Sequence, residues 1–327
     1  MPGKPYQSKL TPYEGELYAL LKRGMSYRKI AATLNERHGL DMTHNAVFSY
    51  VNAASRRRRL RPRFDDGLDA DLREGLMKQI VAVWTHDSTA IEGNTLTLGE
   101  TSQVLELGLT ISGKPLKDHQ EVYGHARAID LIRRMDEEAE LDQSALFDLH
   151  RAVMPDSAVD AMNPIGEWKQ DYNGVTGVVR GRTKYFEYSP PADVPSLMQE
   201  WLEEFNRLRN ADLSQDEAID AYARTHLVFV RIHPFFDGNG RMARLLANLP
   251  ALGAGWPPVL ISIENRARYI DILWRYQSAA GQLRKGKALL PKHKAVGEFK
   301  KFVRSEWSRS VEIVEEAKAM QARRGKR

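Results

Sequence analysis

HPFFDGNGRMAR, residues 233 to 244, places a histidine, an acid, two glycines around an asparagine, and two arginines within twelve residues. The stretch before it, ARTHLVFVRI (223–232), is apolar at helical spacing and predicts a buried helix that His233-Pro234 ends. Phe235 and Phe236 are expected to anchor the turn in the core. DGNG then forms a tight loop, and a second helix begins at Arg241. Gly238 and Gly240 let a ligand approach the backbone closely, and N–H groups at a helix start favour an anion, usually phosphate. Arg241 and Arg244 are i, i+3 and are expected to flank one side, their guanidinium forks suiting phosphate oxygens. Asp237 offers a hard oxygen to Mg2+, which is held by one or two carboxylates plus phosphates. His233 is the one group of the loop that takes a proton near neutral pH. Together these predict a nucleotide polyphosphate and metal site with a general base beside it. The chemistry is attack on phosphorus by a hydroxyl that His233 deprotonates. The pattern is not a Walker loop. A capped helix start with surface arginines is the plain alternative, and it leaves the convergence of acid, base, donors and glycines unexplained.

Around this loop the chain reads as mainly helical. Apolar residues recur at helical spacing through 70–86, 118–135, 143–153, 193–208, 215–231, 240–252, 265–283 and 297–320. The exception is GEWKQDYNGVTGVVRGRTKYFEY, 166–188, with Asn-Gly and Arg-Gly turn signals among β-formers. It predicts a β-hairpin or irregular flap ending at Ser189-Pro190-Pro191. Tyr172, Lys184, Tyr185 and Phe186 are its candidates for docking an added strand; a surface loop is the bland reading. The tail QARRGKR, from Gln321, reads as disordered and basic. His226 and His233 share a helix face, but without HExxH or a third ligand zinc is not expected. His150 reads as a packed or hydrogen-bonded core residue.

The 327 residues are 42% hydrophobic and 28% charged, ordinary for a soluble globular protein. With no cysteine there is no disulfide and no thiolate zinc site. The first thirty residues are polar and broken by Pro2, Pro5 and Pro12, unlike a signal peptide. No apolar run is long enough to span a bilayer, so a cytoplasmic location without membrane contact is expected. Residues 1–64 hold 13 Lys+Arg against 4 Asp+Glu, whereas the whole chain is only +5. The basic excess marks a separate module with an anionic partner. Within it, 12–55 predicts three short helices: about Tyr13 to Arg23, a second capped by Ser26 and stopped at Gly39, and a third capped by Thr43. This looks like a helix-turn-helix domain, whose third helix would present Thr43, His44 and Asn45, with Ser49 beside them, to the major groove of duplex DNA. The run SRRRRLRPR, 55–63, follows, and Arg56, Arg57, Arg58 and Arg59 suit phosphates or a minor groove. A solvated basic linker behind a protein-binding module is the alternative. The expected division is a basic module at 1–62, a linker and lead-in helix at 63–79 containing Asp65, Asp66 and Gly67, and a catalytic body at 80–327.

HPFFDGNGRMAR resembles the Fic-domain motif, HPFx[DE]GNGRxxR, at every defined position. The resemblance implies an all-α fold with a β-hairpin flap and the transfer of AMP from ATP, with Mg2+, to a Ser, Thr or Tyr hydroxyl of a target protein. It implies His233 as base, Asp237 as the metal ligand, and Gly238, Asn239, Gly240, Arg241 and Arg244 on the phosphates, Arg244 on the terminal one. Related Doc kinases carry lysine where Gly240 stands here, so transfer of a nucleotide is implied. GEWK and YFEYSPPADVPSLMQEWLEEF are similar to the family's flap and following helix, with Lys169 where arginine is frequent. ENRARYIDILWRYQ resembles the adenine-side helix and implies Tyr269, Ile270 and Gln277 near the base. The last two stand where many relatives have Tyr and Asn, which leaves the choice among ATP, UTP, GTP and CTP open.

STAIEGN, 88–94, matches the inhibitory motif [S/T]xxxE[G/N] on a helix expected at about 80–94. The resemblance implies that Glu92 pairs with Arg244 and misplaces ATP and that Ser88 supports the helix one turn earlier, with Gly93 completing the motif. An exposed glutamate before a glycine is otherwise only surface. Self-modification and a homodimer are further expectations. Two rivals are a DNA-binding regulator that keeps this body as a nucleotide sensor, and a hydrolase that removes AMP from modified proteins.

Overall fold

The computed structural model of the chain describes residues 8–23, 25–59, 62–137, 140–154, 164–179 and 182–325. Two compact units emerge, one of residues 1–61 with 137–140 and one of the remainder.

The smaller unit is a three-helix cluster. A 3-10 turn (Thr11–Tyr13) leads into α1 (Glu14–Lys22), followed by α2 (Tyr27–His38) and α3 (His44–Arg59). Leu17, Leu20, Ile30, Leu34 and Val47 meet in its core. Local chemistry fixes the ends. Ser26 Oγ accepts the Lys29 N–H at 3.4 Å, and Gly39 takes a left-handed φ of 63° after α2. Asn35 exchanges two 2.9 Å hydrogen bonds with the Met42 backbone across the α2–α3 turn. Thr43 Oγ1 accepts the Ala46 N–H at 3.2 Å. Thr43, His44, Asn45 and Ser49 are exposed at the start of α3. The helix carries on through the arginine run rather than stopping before it, as expected of good helix formers. The side chains of Arg56, Arg57, Arg58 and Arg59 lie outside the described residues.

The larger unit contains α4 (Ala70–Ile91), α5 (Leu98–Leu107), α6 (Leu116–Glu137), α7 (Gln143–Val153), strands β1 (Gly174–Val179) and β2 (Arg182–Glu187), then α8 (Val194–Asn210), α9 (Gln215–Ile232), α10 (Asn239–Leu246), α11 (Leu249–Gly253), α12 (Arg266–Ala280) and α13 (Lys294–Arg324). The fold is mainly α, and the two strands form one antiparallel hairpin pairing Gly174 with Glu187 and Val179 with Arg182. No helix of the described residues is long and apolar enough to cross a membrane.

The central helix is α9. A reciprocal Ser214–Glu217 capping box starts it, and from Tyr222 to Ile232 nearly every side chain is buried. A helix apolar on all sides belongs inside a bundle, and α8, α10, α11 and α13 surround it. Arg231 closes the C-terminal end of α12 by donating to Ala280 O, Gly281 O, Ala288 O and Leu289 O.

Four expectations about elements change. Thr97 and Glu100 form a capping box for α5, a helix the periodicity missed because it spans only ten residues. The 240–252 segment is two helices, broken where the Asn248 side chain bonds Val259 and Pro250 begins the next turn. The stretch expected as linker is packed, with Phe64 and Leu68 in the core. The tail is helical to Arg324, because that residue pairs with Asp71 at 2.6 Å and Asp69 at 3.3 Å, while Gln321 accepts the Asp69 N–H.

Candidate active site

The last residue of the central helix points the first chemical group. His233 caps α9 at φ 54° and ψ 61°, the one left-handed non-glycine among the described residues. Such a conformation costs of order 1–3 kcal/mol and persists only where its surroundings enforce it. Here the ring stacks on Tyr188 at 3.6 Å and 1°. Nδ1–H donates to Val230 O at 3.2 Å, which leaves Nε2 as the unprotonated acceptor. Burial first, then the Lys169 ammonium, holds the imidazole down at about 3. His233 is therefore neutral, correctly tautomerised for a base, and open at one nitrogen.

Behind it the loop is braced from within. Asn239 Oδ1 accepts the Phe235 N–H at 3.0 Å, and Asn239 Nδ2 donates to Phe235 O at 2.8 Å. Both ends of that amide are thus engaged inside the loop. Phe235, fully buried, stacks on His150 at 3.9 Å. His150 accepts the Gly166 N–H at Nδ1 and donates from Nε2 to Asp237 O at 3.1 Å. Burial lowers His150 to about 4, consistent with that neutral tautomer. Gly238 has φ 75°, and a Cβ there would meet Met154 Sδ at 2.8 Å, so glycine is required on both counts.

Past the loop, α10 starts without a side-chain cap. The N–H groups of Asn239, Gly240 and Arg241 are its open donors. Asp237 is exposed, with Oδ1 accepting the Gly238 N–H at 2.6 Å. The two arginines diverge rather than flank one side. Arg241 reaches toward α7 and α6, 3.4 Å from Val153 O and 3.7 Å from Glu121. Arg244 reaches toward α4. Its Nε donates to Ser88 Oγ at 3.0 Å, and its Nη2 donates to Ser88 O and Glu92 Oε1, both at 2.8 Å. Spacing on one helix placed their Cα atoms together; the partners that draw them apart are distant in sequence.

The end of α4 is built to deliver Glu92. Ser88 lies on its last turn, Glu92 caps it, and Gly93 turns the chain at φ 105°. Arg266 Nε holds Ile91 O at 2.6 Å, and Asn94 donates to Asp118 O and Glu121 Oε2. Glu92 keeps 38% of its side-chain surface exposed, whereas Arg244 keeps 3%. The carboxylate fills the space in front of Gly240, where an added Cβ would lie 2.4 Å from Glu92 Oε1. Burial alone would lower the Arg244 guanidinium, but Glu92 and Tyr269 beside it raise it above its ordinary value.

Of the three α12 residues, Tyr269 is fully buried against Phe299 and Phe302, with its hydroxyl 2.9 Å from His226 Nε2 and 3.5 Å from Arg244 Nη1. Ile270 is 43% exposed. Gln277 is buried and donates to Val230 O at 3.3 Å, the carbonyl that also accepts the His233 Nδ1–H hydrogen bond.

At the flap, Tyr172, Lys184 and Tyr185 are exposed, while Phe186 is buried edge-on to Tyr188 and anchors the hairpin instead of presenting a surface. A Cβ at Gly177 would enter the Trp274 ring, so the hairpin rests directly on α12. Lys169 and Asn173, flap residues to which the sequence assigned no contact, tie flap to loop: the Lys169 N–H donates to Pro234 O, Lys169 Nζ donates to Asn173 Oδ1 at 2.7 Å, and Asn173 Nδ2 donates to Phe235 O.

Residues 140–251 match the Fic/DOC family. The protein adenylyltransferase fic-1 of Caenorhabditis elegans is 30% identical over 223 residues, covering 67% of this chain and 40% of that protein. The protein adenylyltransferase Fic of Drosophila erecta is 34% identical over 190 residues, 58% of this chain and 35% of that protein. The chain thus spans less than half the length of these relatives. Among solved structures, a Fic-domain-containing signaling protein from Bacteroides thetaiotaomicron superposes with a TM-score of 0.67 at 25% identity, over 83% of this chain and 96% of that one. A Fic-1 fragment from Caenorhabditis elegans gives 0.59 at 24% identity, over 94% and 85%. Sharing the helical fold, the 233–244 loop and these matches, the chain belongs to the Fic/DOC family.

Proposed function

We propose that the chain is a protein adenylyltransferase that moves AMP from ATP to a hydroxyl side chain of a target protein, and that Glu92 holds it off. The observation that carries this reading is a neutral His233 with Nε2 open, beside uncommitted α10 donors and an Arg244 already taken by a carboxylate. Nε2 accepts the target hydroxyl proton as the oxygen attacks the α-phosphorus; the bond to the bridging oxygen breaks and pyrophosphate leaves. The N–H groups at the start of α10 and Arg241 bind the phosphates, and the Arg244 guanidinium takes the terminal one when Glu92 withdraws.

Asp237 fits a Mg2+ carried in on the nucleotide. Its carboxylate is exposed at the anion site, and the described residues hold no cluster of three or more metal-ligating side chains. An ion bound there takes most of its ligands from phosphates and water, and it supplies charge neutralisation of the polyphosphate. Ile270 and Gln277 are assigned to the base, and Tyr172, Lys184 and Tyr185 to the target's backbone. The exposed Thr43, His44 and Asn45 support duplex DNA as the partner of the basic N-terminal unit. A pure nucleotide sensor gives the tautomer and strain of His233 no task, which favours the transferase.

The test is His233→Ala added to the Glu92→Gly protein, in which Arg244 is released. Transfer falls by about 10²–10⁴-fold, as for loss of a general base, while ATP binding measured by titration persists. Undiminished transfer in that variant contradicts the reading.

A further inference from the structure

The two motif arginines are served differently. Arg244 donates at 2.8–3.0 Å to Ser88 and Glu92. Arg241 is as deeply buried, at 4% exposure, yet among the described residues its guanidinium has no hydrogen bond shorter than 3.4 Å. Nη1 lies 3.4 Å from Val153 O, Nη2 lies 3.7 Å from Met154 Sδ, and Nε has no partner among the described residues. A buried cation requires a counter-charge, and among the described residues the carboxylate paired with this one is Glu121 on α6, with Oε1 3.7 Å from Nη1.

Glu121 is itself 6% exposed and fixed. Its Oε2 accepts Asn94 Nδ2 at 3.0 Å, from the segment that directly follows Glu92 and Gly93. Lys117 approaches Oε1 at 3.6 Å but is 67% exposed, and a solvent-screened ammonium positions little. One turn along α6, His125 is fully buried; burial first, then Arg244 and Arg241, push it far below its ordinary value, so it adds no charge between the arginines.

Glu121 therefore differs from Glu92 in kind. Glu92 reaches in from solvent and closes a hydrogen bond, so it competes with phosphate. Glu121 lies buried beside Arg241, 3.7 Å from Nη1, and stops short of a hydrogen bond. A carboxylate so placed offsets the burial of the guanidinium and leaves its donors available to another acceptor.

We propose that Glu121 is a positioning residue for the nucleotide: it keeps Arg241 buried and uncommitted so that its N–H groups meet the phosphates. The proposal rests on the nucleotide-binding reading above.

The test uses the full chain carrying Glu92→Gly, with and without Glu121→Gln, which keeps an acceptor oxygen for Asn94 and removes the charge. ATP with Mg2+ is titrated directly, and transfer is measured in parallel. Glu121→Gln raises Kd and KM for ATP by about tenfold, in the range of coupling between neighbouring charges, and changes kcat by less than about threefold. Glu121→Asp recovers part of the loss. With Arg241→Ala already present, Glu121→Gln weakens ATP no further. Unchanged ATP affinity, or an equal loss in the Arg241→Ala background, overturns the proposal. If the Glu92→Gly protein binds ATP but transfers nothing, the transferase reading fails and the titration still decides the role of Glu121. If it binds no ATP, both are overturned.

Discussion

Gly240→Ala tests whether the space in front of α10 is what lets Glu92 reach Arg244. The methyl would lie 2.4 Å from Glu92 Oε1 and 3.2 Å from Arg244 Nη1. Of the two, Glu92 is the one free to move, being the end of a flexible side chain that is 38% exposed. The backbone of Gly240 is helical, without a positive φ, so alanine is tolerated there and helix propensity favours it by about 0.5–1 kcal/mol. The loss falls on one charge-assisted hydrogen bond of 2.8 Å. Such bonds contribute about 1.5–3 kcal/mol, and partial exposure of the carboxylate reduces this to about 1–1.5 kcal/mol. The population with Arg244 released rises by roughly five- to tenfold, since 1.4 kcal/mol is about a factor of ten. The assay is self-modification with labelled ATP and Mg2+, comparing wild type, Gly240→Ala, Glu92→Gly and the double variant. Gly240→Ala is expected between wild type and Glu92→Gly. The double variant, equal to Glu92→Gly, shows that the methyl itself does not obstruct phosphate. Gly240→Ala as silent as wild type, beside a fully active double variant, refutes the reasoning.

Stability is expected to fall with acid below neutrality. His125, His150 and His226 are held below their ordinary value chiefly by burial, the last two at about 4 and about 3. Their neutral forms cost nothing above pH ~6.5, the unfolded value; as pH falls from there, the unfolded chain takes up protons the folded one refuses. Each then lowers stability by up to about 1.4 kcal/mol per pH unit, and a melting midpoint unchanged from pH 7.5 to 5 contradicts this. At the N-terminal unit, the full chain is expected to bind duplex DNA with an affinity that drops about a hundredfold from 50 to 200 mM salt if Arg56 to Arg59 each neutralise a phosphate. Absence of binding at low salt reassigns that unit to protein recruitment.

The sequence showed elements wherever local chemistry decides them. Ser26, Thr43 and Gly39 are caps readable from type and position, and Gln143–Val153 matches its periodicity. What escaped depends on residues remote in the chain. Asn248 ends α10 through Val259, Asp71 keeps the C-terminal tail helical, and Ser88 turns Arg244 away from Arg241. The 233–244 loop was legible as chemistry because its groups are adjacent. Its strain was not, because Tyr188 and His150 reach it from other elements. The signal for α5 lies in the Thr97–Glu100 capping box rather than in an apolar stripe, since only Thr101 and Val104 of that helix are buried.

The central claim is that Glu92 and ATP compete for Arg244 in a transferase whose base is His233. The direct measurement is incorporation of label into protein by wild type and by Glu92→Gly, each with Mg2+ and each of the four NTPs labelled on the α-phosphate. Release of Arg244 is predicted to raise incorporation by about a hundredfold, as when a few kcal/mol of misalignment is removed from the barrier, and adding His233→Ala abolishes it. A Glu92→Gly protein that incorporates no more label than wild type with any of the four nucleotides contradicts the account.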